Sequence, residues 1–249
     1  MVVPFTLARL FTGQGREGLK RNYPYLIILA LQVVCLVFTF SRGALVALVV
    51  GCAVFSAFAI PRQQLTIFAG VMTALIVMGG LFFLALSFGW RIAPLSKHAM
   101  VLRSDIHATR QVSNMDRLSV WKRTLPMIAG SLLIGYGPDR YAAAYAQYYP
   151  LQADDAVPNT TGWDPHNLVL EELTSAGLLG LLAFGWIVYI FYRTVYRRFR
   201  NVEQIPVRLL GAALMASAAA YLVQAQFNPS GIVAVVIFWL VMGIGCGKY

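Results

Sequence analysis

The sequence predicts an all-α fold, a polytopic membrane helical bundle with about six transmembrane helices and a large outer loop that contains short helices. Three observations support this prediction. Of the 249 residues, 59% are hydrophobic and 12% are charged, and the mean hydropathy is +0.67, a composition far more apolar than that of a soluble domain. The apolar residues form runs of the length that a bilayer requires. Short segments rich in proline, glycine or basic residues separate these runs.

The first apolar run, residues 23–60, is too long for one span, because a helix of that length would reach roughly 57 Å, about twice the hydrocarbon thickness. Its only charge is Arg42, so we predict two spans that fold back near this residue. We predict four further spans at about Leu65–Phe88, Leu168–Tyr192, Leu209–Phe227 and Gly231–Gly247. All belong to a single membrane domain, 1–249, and residues 89–165 form a polar insert between the third and fourth spans.

The segment 192–208 sets the predicted orientation, because its dense cluster of arginines is typical of a cytoplasmic loop. Six spans threaded from this segment place the N-terminus inside, and the Arg42 turn and the insert outside. Many basic residues then remain on the outer face. Either positive charges count weakly in long loops, or the outer surface holds an anionic ligand.

Arg42 lies at the predicted tip of the hairpin formed by the first two spans, and its role there has two interpretations. Its side chain could reach the interface as an anchor, which would lower the cost of a charge in an apolar run. Alternatively it holds a phosphate group, and Gly43 beside it would let another group approach the backbone.

Within the insert, residues 113–130 predict a helix with a capping-box-like start at Ser113 and Asp116. Pro126 should weaken its last turn. Arg117 lies one turn before Trp121 and either decorates the solvated face or points with Trp121 into a site. The predicted buried face comprises Val112, Met115, Leu118, Trp121, Leu125 and Ile128.

The "GYG" at 135–137 predicts a tight turn or exposed backbone amides. Further on, Asp164 and Pro165 suit the N-cap and first residue of the fourth span, which would place His166 in its first turn. The helix dipole there disfavours imidazolium, so His166 would be a neutral proton acceptor or simply a polar interfacial residue. Ala176, Gly177 and Gly180 predict close helix packing.

No metal or other cofactor is expected. His98, Asp105 and His107 could supply ligands, but their spacing matches no recognised metal site. Neither a nucleophilic triad nor a phosphate-binding glycine loop is evident, and the apolar composition favours membrane lipids as partners and no nucleic acid.

These motifs, in this order, resemble the bacterial O-antigen ligase family, whose superfamily also contains O-antigen polymerases and protein O-oligosaccharyltransferases. The resemblance covers roughly residues 20–190. Members of this family usually have more spans than the six predicted here, which implies that the N-terminal half is missing. The motifs are "SRGA" at a span junction, "RLSVW" at 117–121, "GYG", and His166-Asn167 followed by Gly177 and Gly180.

The resemblance implies a metal-independent, inverting glycosyltransferase of the bacterial inner membrane with its active site on the periplasmic face. Such enzymes take a glycan from undecaprenyl pyrophosphate and join it to an acceptor hydroxyl, on lipid A-core for ligases. The matching motifs make His166, Arg42 and Arg117 the expected catalytic residues, with the arginines on the pyrophosphate. The expected substrate-binding residues are Arg91, Arg103 as a second choice to it, Trp121, Asn167 and Gly137.

Three rivals stay open from the sequence. A polymerase or a protein O-oligosaccharyltransferase would use the same arginines with another acceptor. A transport subunit for lipid-linked glycans predicts charges deep in several spans, whereas the mid-span regions here are nearly free of charge. An inactive accessory protein is the third.

Overall fold

The computed structural model describes residues 1–12, 16–39, 41–59, 119–150, 165–227 and 231–247, except the side chains of residues 16–21, 37, 38 and 42. Within these ranges the chain forms nine helices and no strand, which confirms the all-α class for this part of the chain. The helices are α1 Val3–Phe11, α2 Arg16–Phe38, α3 Arg42–Ala59, α4 with described residues 119–130, α5 Tyr141–Tyr148, α6 Leu168–Ser175, α7 Gly177–Phe199, α8 Ile205–Gln224 and α9 Ile232–Cys246.

Two of the described helices, α7 and α8, are long and apolar enough to cross a bilayer, with 23 and 20 residues. Shorter apolar stretches of α2, α3 and α9 coincide with three other predicted spans: Asn22–Leu36, Gly43–Ala59 and Ile232–Cys246. The predicted break just before Arg42 is present, since α2 ends at Phe38 and α3 begins at Arg42. The count of six spans stays a prediction, because the third predicted span lies outside the described residues.

The fourth predicted span, Leu168–Tyr192, is wrong as a single helix. Helix α6 ends at Ser175, and α7 begins at Gly177, whose φ of 67° is left-handed and breaks the regular helical backbone. Helix α7 then continues past Tyr192 to Phe199, so several predicted loop arginines lie on its last turns. Cations are favourable at a helix C-terminus, where the backbone carbonyls carry partial negative charge.

The chain divides into two compact units. The first unit contains Met1–Met72 and Leu182–Tyr249, and the second contains Thr73–Leu181. The prediction of one membrane domain with an insert at 89–165 stays a prediction, because much of that insert lies outside the described residues.

The first unit is built around α8, whose small side chains let other helices approach closely. Ala212, Ala213 and Ala216 are almost fully buried, and a Cβ on Gly51 of α3 would lie 3.2 Å from the Cβ of Ala220. Helix α1, which the sequence analysis missed, packs into the same core through Val3, Leu7 and Ala8. Its nine residues are too few for a span, so a search for runs of membrane length passes over it.

Candidate functional site

The second unit contains α4, whose buried face differs from the predicted one. Thr124, Met127 and Ile128 are buried, whereas Leu125 is 59% exposed, so its place on the predicted apolar face is wrong. Thr124 can be buried because its hydroxyl donates to the Val120 carbonyl at 2.8 Å, one turn earlier. The predicted helix start at Ser113 lies outside the described residues.

Tyrosines attach the short helix α5 to α4. The Arg123 guanidinium donates to the Tyr145 hydroxyl at 2.9 Å and lies 5.5 Å from the centre of the Tyr149 ring. The Tyr136 hydroxyl donates to the Met127 carbonyl at 2.7 Å, near the end of α4. Burial, together with the neighbouring hydroxyl of Tyr148, raises the pKa of Tyr136 to about 12. Helix α4 therefore continues through Pro126 with its end supported from outside.

The turn 131–137 interlocks with the break between α6 and α7. Two N–H groups of the turn donate to the last carbonyls of α6, and two carbonyls of the turn accept from the first N–H groups of α7. Helix ends otherwise leave these groups without partners. The bonds are Tyr136 N–H to Thr174 O at 2.7 Å, Gly137 N–H to Ser175 O at 2.9 Å, Leu178 N–H to Leu132 O at 2.8 Å and Leu179 N–H to Leu133 O at 3.2 Å.

Two glycines make this interlock possible. Gly135 and Gly177 both have positive φ, at 68° and 67°. A Cβ on Gly177 would lie 2.4 Å from the carbonyl carbon of Leu133, and one on Gly135 would lie 2.6 Å from that of Ser175. The close approach predicted for Gly177 is therefore to the backbone of a turn. The Gly137 amide already donates within the protein, and its role in substrate binding stays a prediction.

The predicted start of the helix after His166 is wrong. Asn167, not Asp164, is the N-cap, because its Oδ1 accepts from the Leu170 N–H at 3.1 Å, and α6 begins at Leu168. His166 therefore precedes the cap instead of lying in the first turn, and its φ of 51° is left-handed. His166 therefore lacks the first-turn position on which the predicted effect of the helix dipole depended.

The backbone is held on both sides of His166. On one side, the Trp121 indole Nε1–H donates to the carbonyl of the fully buried Pro165 at 2.8 Å. On the other side, Asn167 caps α6. His166 itself is partly buried, and its Nδ1 is fully covered. The only polar atom of Trp121 thus bonds to the protein backbone, and the predicted contact of Trp121 with substrate stays a prediction.

Arg42 stands at a second helix start, in the first unit. Ser41 caps α3, since its Oγ accepts from the Ala44 N–H at 3.3 Å, and Arg42 is the first helical residue. The first turn of α3 contains no acidic residue. A helix N-terminus with a cation and no carboxylate favours a bound anion.

The structure therefore brings Trp121, His166 and Asn167 together at the start of α6, whereas Gly137 is bonded to Ser175 at the end of the same helix. The side chain of Arg42 lies outside the described residues, as do Arg91, Arg103 and Arg117, so their convergence on one ligand stays a prediction. His98, Asp105 and His107 also lie outside them. Two groups that support the site were missed from the sequence: Ser41 as a cap and the Pro165 carbonyl.

The chain is similar to one known family. A family model described as O-antigen ligase matches residues 27–185, well over half of the chain, and the match contains both helix starts. No curated protein and no solved structure matches the chain.

Proposed function

Because the chain belongs to the O-antigen ligase family, we propose that it transfers a glycan from undecaprenyl pyrophosphate to an acceptor hydroxyl such as one on lipid A-core. We place the reaction at the periplasmic face of the bacterial inner membrane. The observation that supports the mechanism best is the left-handed backbone of His166, held between the Trp121 bond and the Asn167 cap. Unfavourable backbone conformations persist where the direction of a side chain matters.

The arginines act on the leaving group in this proposal. As the bond between the anomeric carbon and the pyrophosphate oxygen breaks, its electron pair moves to the pyrophosphate and negative charge grows there. A guanidinium binds phosphate oxygens through two parallel N–H groups, which stabilises this charge without a metal. Arg42 at the start of α3 is joined by backbone N–H groups of the same helix end. Arg117, with Arg91 or Arg103, would complete the arginine set.

His166 acts on the acceptor. Its imidazole accepts the proton of the acceptor hydroxyl while that oxygen attacks the anomeric carbon from the face opposite the leaving group, so the configuration inverts. We assign the proton to Nε2, because Nδ1 is buried. One C–O bond forms as one breaks, and the step requires no cofactor.

The proposal is tested by transfer assays with purified protein, a lipid-linked glycan and lipid A-core. We expect Arg42→Lys to lower kcat/KM by about tenfold or more, because lysine keeps the charge and loses the paired N–H geometry. We expect His166→Ala to lower kcat by about a hundredfold or more, the usual effect of removing a general base.

Arg193→Lys is the matched control, since Arg193 is an exposed arginine of α7, and it should transfer normally. Wild-type rates in both test variants would refute the mechanism. Replacing lipid A-core by a second lipid-linked glycan or by a protein acceptor separates a ligase from a polymerase and from a protein O-oligosaccharyltransferase. Donor binding without any transfer would instead favour the transport or accessory alternatives.

A further inference from the structure

We infer that Trp121 is a positioning residue for His166, and that it acts through the backbone of Pro165 instead of contacting a sugar. This inference rests on the proposed role of His166 as proton acceptor. The indole N–H and the Pro165 carbonyl oxygen are 2.8 Å apart although 44 residues separate them in sequence.

The bonded oxygen belongs to the peptide group that joins Pro165 to His166. This group is planar and rigid, so a bond to its oxygen also fixes the orientation of the His166 nitrogen. The φ of His166 is the rotation that follows directly from this plane. The 51° value, and with it the direction of the imidazole, therefore depends on where the indole holds the carbonyl.

The other side of His166 is fixed independently. Asn167 caps α6, and the end of α6 is bonded to the turn 131–137. With only the Trp121 bond removed, the peptide before His166 could rotate while α6 stays in place. Because L-residues favour negative φ, the segment would then leave the left-handed conformation.

Helix α4 is a rigid support for the indole. One turn beyond Trp121, Thr124 is fully buried and bonded to α5 through the Tyr141 hydroxyl at 2.7 Å. Arg123 makes a second bond to α5 through Tyr145. A donor on such a support loses little conformational freedom when it holds the carbonyl.

Trp121→Phe tests the inference, because it keeps an aromatic ring and removes the N–H. We expect kcat to fall about tenfold, the effect of losing one well-placed hydrogen bond, while KM stays within about twofold. A second readout does not depend on activity: carbethoxylation of His166 by diethyl pyrocarbonate should become several-fold faster, because the loosened imidazole is more accessible. Mass spectrometry of peptides separates His166 from His98 and His107.

Trp186→Phe is the matched control, since Trp186 is 63% exposed on α7, and it should change neither readout. A raised KM with unchanged kcat and unchanged labelling of His166 would overturn the inference and return Trp121 to substrate contact. Unchanged values in all three measurements would also overturn it.

Failure of the proposed function looks different. If His166→Ala transfers normally, the catalytic role of His166 is lost, whereas faster labelling of His166 in Trp121→Phe would still show that the indole positions it. If Trp121→Phe does not fold, 3-benzothienylalanine at position 121 preserves the shape of the ring and replaces its N–H by sulfur. Both readouts then apply to that variant.

Discussion

Helices α3 and α6 both begin behind a side-chain cap, Ser41 in one and Asn167 in the other, yet they present their candidate residues differently. Arg42 follows its cap and is the first helical residue of α3. His166 precedes its cap and has a left-handed backbone. The first turn of α3 has no acidic residue, whereas that of α6 contains Glu171.

This difference suits two different chemical tasks. A cation inside the first turn adds to the partial positive charge of the helix end, so α3 is suited to an anion supplied from outside. At α6 a carboxylate of the chain already stands near the helix end, and the histidine lies beyond it. The direction of His166 is then governed by contacts remote in sequence, above all by Trp121, and not by the helix that follows.

The largest expected effect breaks the support of the α6 corner, the break between α6 and α7 at Gly177 that is bonded to the turn 131–137. Gly177→Ala places a Cβ 2.4 Å from the Leu133 carbonyl carbon at a residue with positive φ. The left-handed strain and the overlap together should destabilise the fold by about 3 kcal/mol or more. The expected outcome is a sharp loss of folded protein in detergent, measured by size-exclusion yield and melting temperature.

Gly185→Ala is its control, because a Cβ at Gly185 in the middle of α7 meets nothing within 4 Å. That variant should melt close to the wild type. A wild-type melting temperature for Gly177→Ala would mean that the interlock between the turn 131–137 and the helix break does not hold the corner.

The two helix starts also differ in how far the sequence could predict them. The α3 start depends on residues close in sequence: one charge in an apolar run too long for a single span indicated it, although the serine cap directly before that charge was missed. The start of α6 and the corner at its end depend on bonds to residues about forty positions earlier, which no local sequence pattern shows. The run 168–192 looks continuous, and glycine is common in membrane helices, so the break at Gly177 was missed.

The same distinction explains the smaller errors. Leu125 was assigned to a buried face by spacing alone, but the bonds of Thr124 to α4 and α5 turn a different side of α4 inward. Asp164 was preferred as a cap because Pro165 suits a first helical residue, while Asn167, three residues after Asp164, forms the cap. Residue types indicated the correct region in each case, and tertiary hydrogen bonds decided the position.

An effect of intermediate size tests the comparison, because glycine and alanine variants should have opposite orders of stability at the two helix starts. His166→Gly should be more stable than His166→Ala by about 1 kcal/mol, because glycine adopts positive φ without strain. At Arg42, the first residue of a right-handed helix, alanine should be the more stable replacement by up to about 1 kcal/mol. Melting temperatures of the four variants measure both rankings. The same order at both positions would contradict the described difference between the helix starts.

The smallest effect concerns a glutamate of α6, a residue type that the first turn of α3 lacks. Burial raises the pKa of Glu172, so the folded state holds its proton more tightly than the unfolded chain does. The resulting stability is fully present below the unfolded pKa and is lost as pH rises through the folded pKa. Glu172→Gln should remove this loss, so the melting temperature of the variant relative to the wild type should rise between acidic and neutral pH.

Glu203→Gln, at an exposed glutamate between α7 and α8, should show no such rise. A difference in melting temperature between Glu172→Gln and the wild type that does not change with pH would contradict this prediction. It would mean that the Glu172 carboxyl is solvated and that its ionised form does not destabilise α6.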